Sequence, residues 1–355
     1  MSNQLPLLSE SKKAPRNSSW ELLRIVAMSM IVIYHFFVHG IGRDSMPHGL
    51  YNFILPFIIC GVNLFFMISG WFLIKFSFKS IIQLAVTILC FTLINIAGCW
   101  LTSSPIQLTT LIKNLLFPIS GSCYWFIKVY FVMLIFAPFI NGALKGMPMP
   151  MLRKLTILLT FVQVYSCSIG LNTCNPDGYS LLQGVYCYIL AYYLRRDKDN
   201  FSRIKKNCWL FASLLIMLIS GVCFSVADIN PVRMLTVKYN SLPIILASAT
   251  LVMWFSHLEL KSKVVNRVAG AALGCYLLQD GLLGYHYLYD AIHKFYIERT
   301  LGESVLMFSA LFVGFWLLSM IFSPIIKTFA NALSNTADRT LRRLTPKFIT
   351  SYINN

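Results

Sequence analysis

The chain has 355 residues, 57% of them hydrophobic and 12% charged, with a formal net charge of +17 at pH 7. A soluble domain carries a charged fraction of about 25%, and the apolar excess here falls in runs of roughly twenty residues, the length that crosses a bilayer core as a helix. Those numbers exclude a soluble enzyme, and the lack of strict polar–apolar alternation excludes a membrane barrel; the positive charge is concentrated in loops between apolar runs, so it reads as membrane topology rather than as a nucleic-acid surface.

In chain order, residues 1–19 are polar and precede an apolar run of full span length, so they are expected to be a cytoplasmic tail and not a cleaved signal. Ten spans are expected, at about 22–41, 50–74, 81–101, 122–141, 152–170, 179–194, 208–226, 239–256, 264–284 and 303–326. Segment 106–117 reads as an interfacial helix or loop, and 285–302 as the largest extracytoplasmic loop. The expected organisation is an all-α, polytopic membrane domain over 20–326, flanked by the tail 1–19 and a basic cytoplasmic tail over 327–355. Alternate loops hold 22 basic residues against six on the opposite side. The positive-inside rule then places both termini in the cytoplasm.

The ten cysteines lie mostly within spans and show no zinc spacing, so they read as small apolar fillers and no metal is expected. Cys167 and Cys174 are the one pair near a membrane face that could join.

Ionisable groups at membrane depth are expensive and face a cavity or a partner. Arg24 and His35 are eleven residues apart on the first span. At about 100° per residue that step closes to within about 20° of three full turns, so both lie on one face, roughly 16 Å apart along the axis. Arg24 is then near the cytoplasmic boundary, with His35 beyond the middle and His39 one turn further out. The plainer alternatives are a snorkelling arginine and a histidine bonding between helices. Other polar residues in apolar context are Asn63 and Ser69 in "GVNLFFMISGWFLIK", and Trp125, Lys128 and Tyr130 in "CYWFIKVYFVMLIFAPFIN".

Four blocks, in order, carry a resemblance. Arg24 and His35 form an R-x10-H pattern at the start of the first span; "GVNLFFMISGWFL", "YWFIKVYFVMLIFAPFIN" and "LGCYLLQDG" follow on later spans. Together they resemble the acyltransferase-3 family of integral-membrane acyltransferases, from about residue 20 to 326. The resemblance implies about ten helices in a bacterial plasma (inner) membrane. It implies transfer of an acyl group, commonly acetyl, from cytosolic acyl-CoA to a hydroxyl of a surface polysaccharide or its lipid-linked precursor. It also implies a catalytic role for His35 and a donor-binding or structural role for Arg24. Four positions depart from the family pattern: Gln279 stands where relatives have histidine, Trp71 occupies the aromatic position after Ser69-Gly70, and Lys75 and Lys79 replace an arginine pair. Lysine keeps the charge but lacks the bidentate fork.

The expected partners are therefore acyl-CoA (acetyl-CoA) as co-substrate, a glycan acceptor and membrane lipid, with no permanently bound cofactor and no nucleic acid. Arg24, Lys75 and Lys79 are placed to meet the donor's phosphates. His35 is expected to act as general base on the acceptor hydroxyl, or else as the carrier in an acyl-histidine relay. Asn63, Ser69, Trp125 and Tyr130 are candidate contacts for the thioester oxygen, and His39 for the acceptor. Competing classes are a transporter or flippase, and a non-catalytic membrane sensor on the same fold.

Overall fold

The computed structural model describes residues 17–169, 175–226 and 238–344. The side chains of Cys167 and Cys174, the basic residues Lys12, Lys13, Arg16, Arg233 and Lys347, and most of the tail 1–19 lie outside the described residues. Among the described residues every regular element is helical. Six helical stretches are long and apolar enough to cross a membrane: Ser19–Ile41, His48–Phe72, Phe78–Leu101, Trp125–Gly146, Lys206–Val226 and Leu301–Ala337.

The first of these is α1 (Ser19–His35) continued by a π-helical turn, Phe36–Ile41. The buried residues of α1 include Leu23, Ala27, Met28, Ile31, Val32 and His35, a spacing of three and four that defines one face. The second is not continuous. It comprises α2 (His48–Ile58), which contains Pro56, and α3 (Gly61–Phe72), with a turn between them. Then come α4 (Phe78–Leu101), the short α5 (Leu108–Leu116) and α6 (Trp125–Gly146).

The other four expected spans correspond to helices of a different character. Helix α7 (Met149–Ile169) has 21 residues and is more polar; α8 (Leu181–Arg196) has 16. After α9 (Lys206–Val226) comes α10 (Leu242–Ser256), apolar but only 15 residues long. The expected span 264–284 is broken into α11 (Lys263–Ala269) and α12 (Ala272–Gln279). The expected loop 285–302 is also different: a π-helical turn (Gly284–Leu288) leads into α13 (Tyr289–Glu298), which packs back on the π-turn of the first span. The last helix, α14 (Leu301–Leu344), runs on past residue 326 without a break, so its last turns occupy the start of the segment read as a tail. It lies against α4 and α12 at the edge, with only 11% of its apolar window buried.

Helix α3 is the hub, packed on α1, α8 and α10. Gly70 makes the α8 contact possible, because a Cβ there would collide with the main chain of Tyr188. In lipid, close packing and interhelical hydrogen bonds replace the hydrophobic drive between helices. Several such bonds are present: Asn141 Nδ2 donates to Ile74 O at 2.8 Å and Tyr188 OH to Asn141 Oδ1 at 2.6 Å. The largest group joins α3, α7 and α8. Asn63 Nδ2 donates to Tyr239 O (2.9 Å), Gln183 Nε2 donates to Asn63 Oδ1 (2.9 Å), and Asn175 links Gln163 to Ser180.

Candidate active site

Helix α1 brings Arg24 and His35 to the same cavity, of about 270 Å³. Its walls are mainly apolar and come from Met28 and Ile31 of α1, Phe65 and Ile68 of α3, Phe126 of α6 and Leu273 of α12. Ser69, Trp125, Tyr130 and Tyr276 add the polar groups. A second cavity, of about 350 Å³, shares Ile74, Leu84, Tyr130 and Leu273 with the first and reaches Lys75. Lys75 is exposed; Lys79 is half-buried and lies on neither lining.

At one end, Arg24 Nη1 is 2.5 Å from Glu21 Oε1, one turn earlier on α1. Glu21 is buried, and a buried carboxylate needs such a partner. Guanidinium has five N–H donors and this bond uses one. Arg24 therefore holds Glu21 and still presents donors to the cavity.

At the other end, His35 is 6% exposed and closes α1 at the point where the helix widens into the π-turn. Such turns are frequent at functional sites. Its Nδ1 lies 2.7 Å from Gln279 Nε2 and 3.5 Å from Asp280 Oδ1. Both partners sit where α12 stops. The break leaves backbone groups to be satisfied, and α4 and Tyr124 supply the partners. Asn95 Nδ2 donates to Leu277 O (2.9 Å), Leu283 N donates to Asn95 Oδ1 (3.1 Å), and Tyr124 OH donates to Leu277 O (2.8 Å). Gly281 allows this, since a Cβ there would strike the Asn95 side chain. The returning helix α13 then sets Tyr289 OH 3.1 Å from Gln279 O, 3.2 Å from Gln279 Oε1 and 3.3 Å from Asp280 Oδ1.

Hydrogen-bond arithmetic at this cluster has a chemical consequence. One tyrosyl proton cannot serve three acceptors. The oxygen and nitrogen of an amide exchange places by a half-turn, and only the network decides between them. With the Gln279 amide turned over, Tyr289 donates to Asp280 and accepts from the amide, while Gln279 Oε1 accepts from His35 Nδ1–H. The carboxylate of Asp280 near Nδ1 favours a proton there as well. Nε2 then carries the free lone pair of the ring.

The remaining sequence candidates separate clearly. Ser69 lines the cavity, but its hydroxyl donates back to Phe65 O at 2.9 Å. Asn63 is fully buried with both ends of its amide bonded toward α8 and Tyr239, and it does not line the cavity. Trp125 lines the cavity and packs on Tyr179, with ring centroids 4.7 Å apart. Tyr130 lies on both cavity linings. His39 is exposed, its ring 5.4 Å from that of His35 and 5.3 Å from that of Tyr289. Among the described residues no group of three or more His, Cys, Asp or Glu side chains comes together as a metal site.

Five positions around this site had no role assigned from sequence. Glu21 and Tyr289 carry no motif. Gln279 and Asp280 stood out only as a departure within the late block. Tyr276, in the same block, lines the cavity with its ring 6.2 Å from His35, and its buried hydroxyl makes no hydrogen bond of normal geometry. That hydroxyl is buried on the side of Asp280 rather than open to the cavity.

Comparison with known proteins returns one family model, described as an acyltransferase domain (Acyl_transf_3), which matches residues 17–324. No curated protein and no solved structure matches the chain.

Proposed function

Because the chain belongs to the Acyl_transf_3 family of acyltransferase domains, a multi-pass membrane family, we propose that it moves an acetyl group from cytosolic acetyl-CoA to a hydroxyl of a cell-surface polysaccharide or its lipid-linked precursor. The proposed setting is the bacterial inner membrane, with ten spans and both termini on the cytoplasmic side. The observation that carries this reading is the cavity that joins Arg24, on the cytoplasmic side of the proposed topology, to a histidine braced by Gln279 and Asp280.

Coenzyme A is polyanionic at one end and nearly neutral along its pantetheine arm. In the proposed mode, Lys75 and the free donors of Arg24 meet the phosphates, and Lys79 adds charge at the same face. The arm lies along the apolar walls and delivers the thioester beside His35. The acceptor hydroxyl approaches from the opposite side. His35 Nε2 takes its proton as the oxygen attacks the thioester carbon. The carbonyl oxygen becomes an oxyanion, and Trp125 and Tyr130 on the cavity wall are the candidates to donate to it. Collapse breaks the C–S bond, and the proton on His35 passes to the leaving sulfur, giving free coenzyme A and the ester.

The test is release of free thiol from acetyl-CoA by the purified chain in lipid nanodiscs, given glycan acceptors. His35→Ala should lower the rate by about 10²–10⁴-fold while the protein still melts cooperatively. An unchanged rate in that variant rejects His35 as the base. Mass spectrometry of surface glycans from strains with and without the gene then reports the acyl mass and the acceptor.

A further inference from the structure

Helix α8 ends on Arg195-Arg196, with Asp197-Lys198 directly after it. In the fold these three cations hold three different helices. Arg195 Nη1 donates to Trp71 O in the last turn of α3 (2.6 Å), Arg196 Nη1 to Met147 O just past α6 (2.7 Å), and Lys198 Nζ to Ser256 O, on the last residue of α10 (2.8 Å). The last carbonyls of a helix have no partner within it and carry the negative end of its dipole. A cationic donor answers both needs, so the end of α8 ties three neighbours together at one end of the bundle.

The three ties differ in what lies beyond them. Neither Met147 nor Ser256 lines the two cavities. Trp71, in contrast, leads directly into them: Phe72 and Ile74 line the first, Ile74 and Lys75 the second. The chain leaves α3 at Leu73, whose backbone is left-handed (φ 53°), a conformation that bulky L-residues rarely adopt. Such a turn persists where its surroundings over-determine it. Here Arg195 holds the carbonyl of Trp71 before the turn, and Asn141 Nδ2 holds the carbonyl of Ile74 after it. Asn141 is fixed in turn by Tyr188, on the same helix as Arg195.

We propose that Arg195 is a positioning residue for the acetyl-CoA cavity. By holding Trp71 O it fixes the turn at Leu73, and with it Ile74, a wall residue that both cavities share. The assignment rests on the transferase reading above, in which the pantetheine arm lies along these walls. Arg195 acts through Ile74 and is not itself a phosphate ligand, in contrast to Lys75.

The test titrates the full chain in nanodiscs with acetyl-CoA and with S-acetylpantetheine, which has the arm and the thioester but no phosphate. Thiol release is measured in parallel. Arg195→Ala should weaken binding of both ligands about tenfold, the loss of one charge-assisted bond. Arg195→Met, which keeps the stem and removes the donors, gives the same reading if the alanine variant does not fold. Arg195→Lys keeps a cation for the carbonyl and should stay within about twofold of wild type. The turnover rate at saturating acetyl-CoA should be unchanged, because His35 is held at the far end of the cavity by Gln279. Arg196→Ala and Lys198→Ala remove ties of the same kind; they should lower the melting temperature by a few degrees, as Arg195→Ala does, and leave both affinities at the wild-type level. Weakened binding of acetyl-CoA alone makes Arg195 a phosphate ligand and overturns the proposal. Equal weakening in Arg196→Ala and Lys198→Ala reduces the effect to general loosening and overturns it too, as does undiminished binding in the Arg195 variants. Binding of both ligands without thiol release rejects the transferase reading and leaves the comparison of Arg195 with Arg196 and Lys198 decisive. If the wild type binds neither ligand, both readings fall.

Discussion

Two buried polar clusters touch helix α3 and behave in opposite ways. The first joins Asn63 to Gln183 and Tyr239, and Asn175 to Gln163 and Ser180; the Asn63 amide is bonded at both ends. The second faces the cavity and leaves capacity open, in the guanidinium of Arg24 and one nitrogen of His35. Asn63 and Ser69 look alike in sequence, both polar in an apolar run. Six residues on a helix turn about 600°, so the two point about 120° apart; one meets α8 and the other the cavity. A polar group within a membrane bundle acts as a structural tie when its hydrogen bonds close on protein, and as a candidate for chemistry when they do not.

That contrast can be broken by substitution. The largest effect among these is expected for Gln279→Leu. Loss of the bond that orients His35 amounts to about 1–3 kcal/mol, so the turnover rate in thiol release should fall roughly 10- to 100-fold. Gln279→His should recover much of it, because imidazole can also bond to Nδ1. Arg24→Ala comes next, with an expected rise of about tenfold in the KM for acetyl-CoA, in keeping with a lost charge-assisted bond. Lys75→Ala, at an exposed position, should raise the same KM only about two- to threefold, and the difference should fade in high salt. Asn63→Ala is expected to leave the donor KM unchanged and to lower stability by about 1–3 kcal/mol, seen in thermal melting, because Gln183 and Tyr239 lose a buried partner. If Asn63→Ala shifts the donor KM as Arg24→Ala does, the distinction between closed and open clusters fails.

Much of the path through the protein was legible in the first span. Helical phase alone put Arg24 and His35 on one face, and the cavity follows that face. Tyr130 lines both cavities and Lys75 the second of them, which shares part of its wall with the first. What was not legible depends on breaks in helices. The run 264–284 reads as a continuous span because its residues are apolar, yet it stops at Gln279. The interruption is stabilised by Asn95, nearly two hundred residues earlier in the chain, and no local pattern marks that partnership. Likewise the segment 285–302 is polar enough to read as a loop, and only its packing on the π-turn of the first span makes it a helix that delivers Tyr289.

By itself the sequence determined that this is a multi-pass helical membrane protein, and that an arginine and a histidine share one face of its first span. Both are consequences of composition and of the 3.6-residue repeat, which act over short stretches of chain. Only the tertiary structure decided what stands behind the histidine. Gln279 and His35 are 244 residues apart in sequence. Their meeting, the tautomer it favours and the closing of Asn63 into a scaffold all come from helix packing, where directional hydrogen bonds between distant segments must be satisfied in the absence of water.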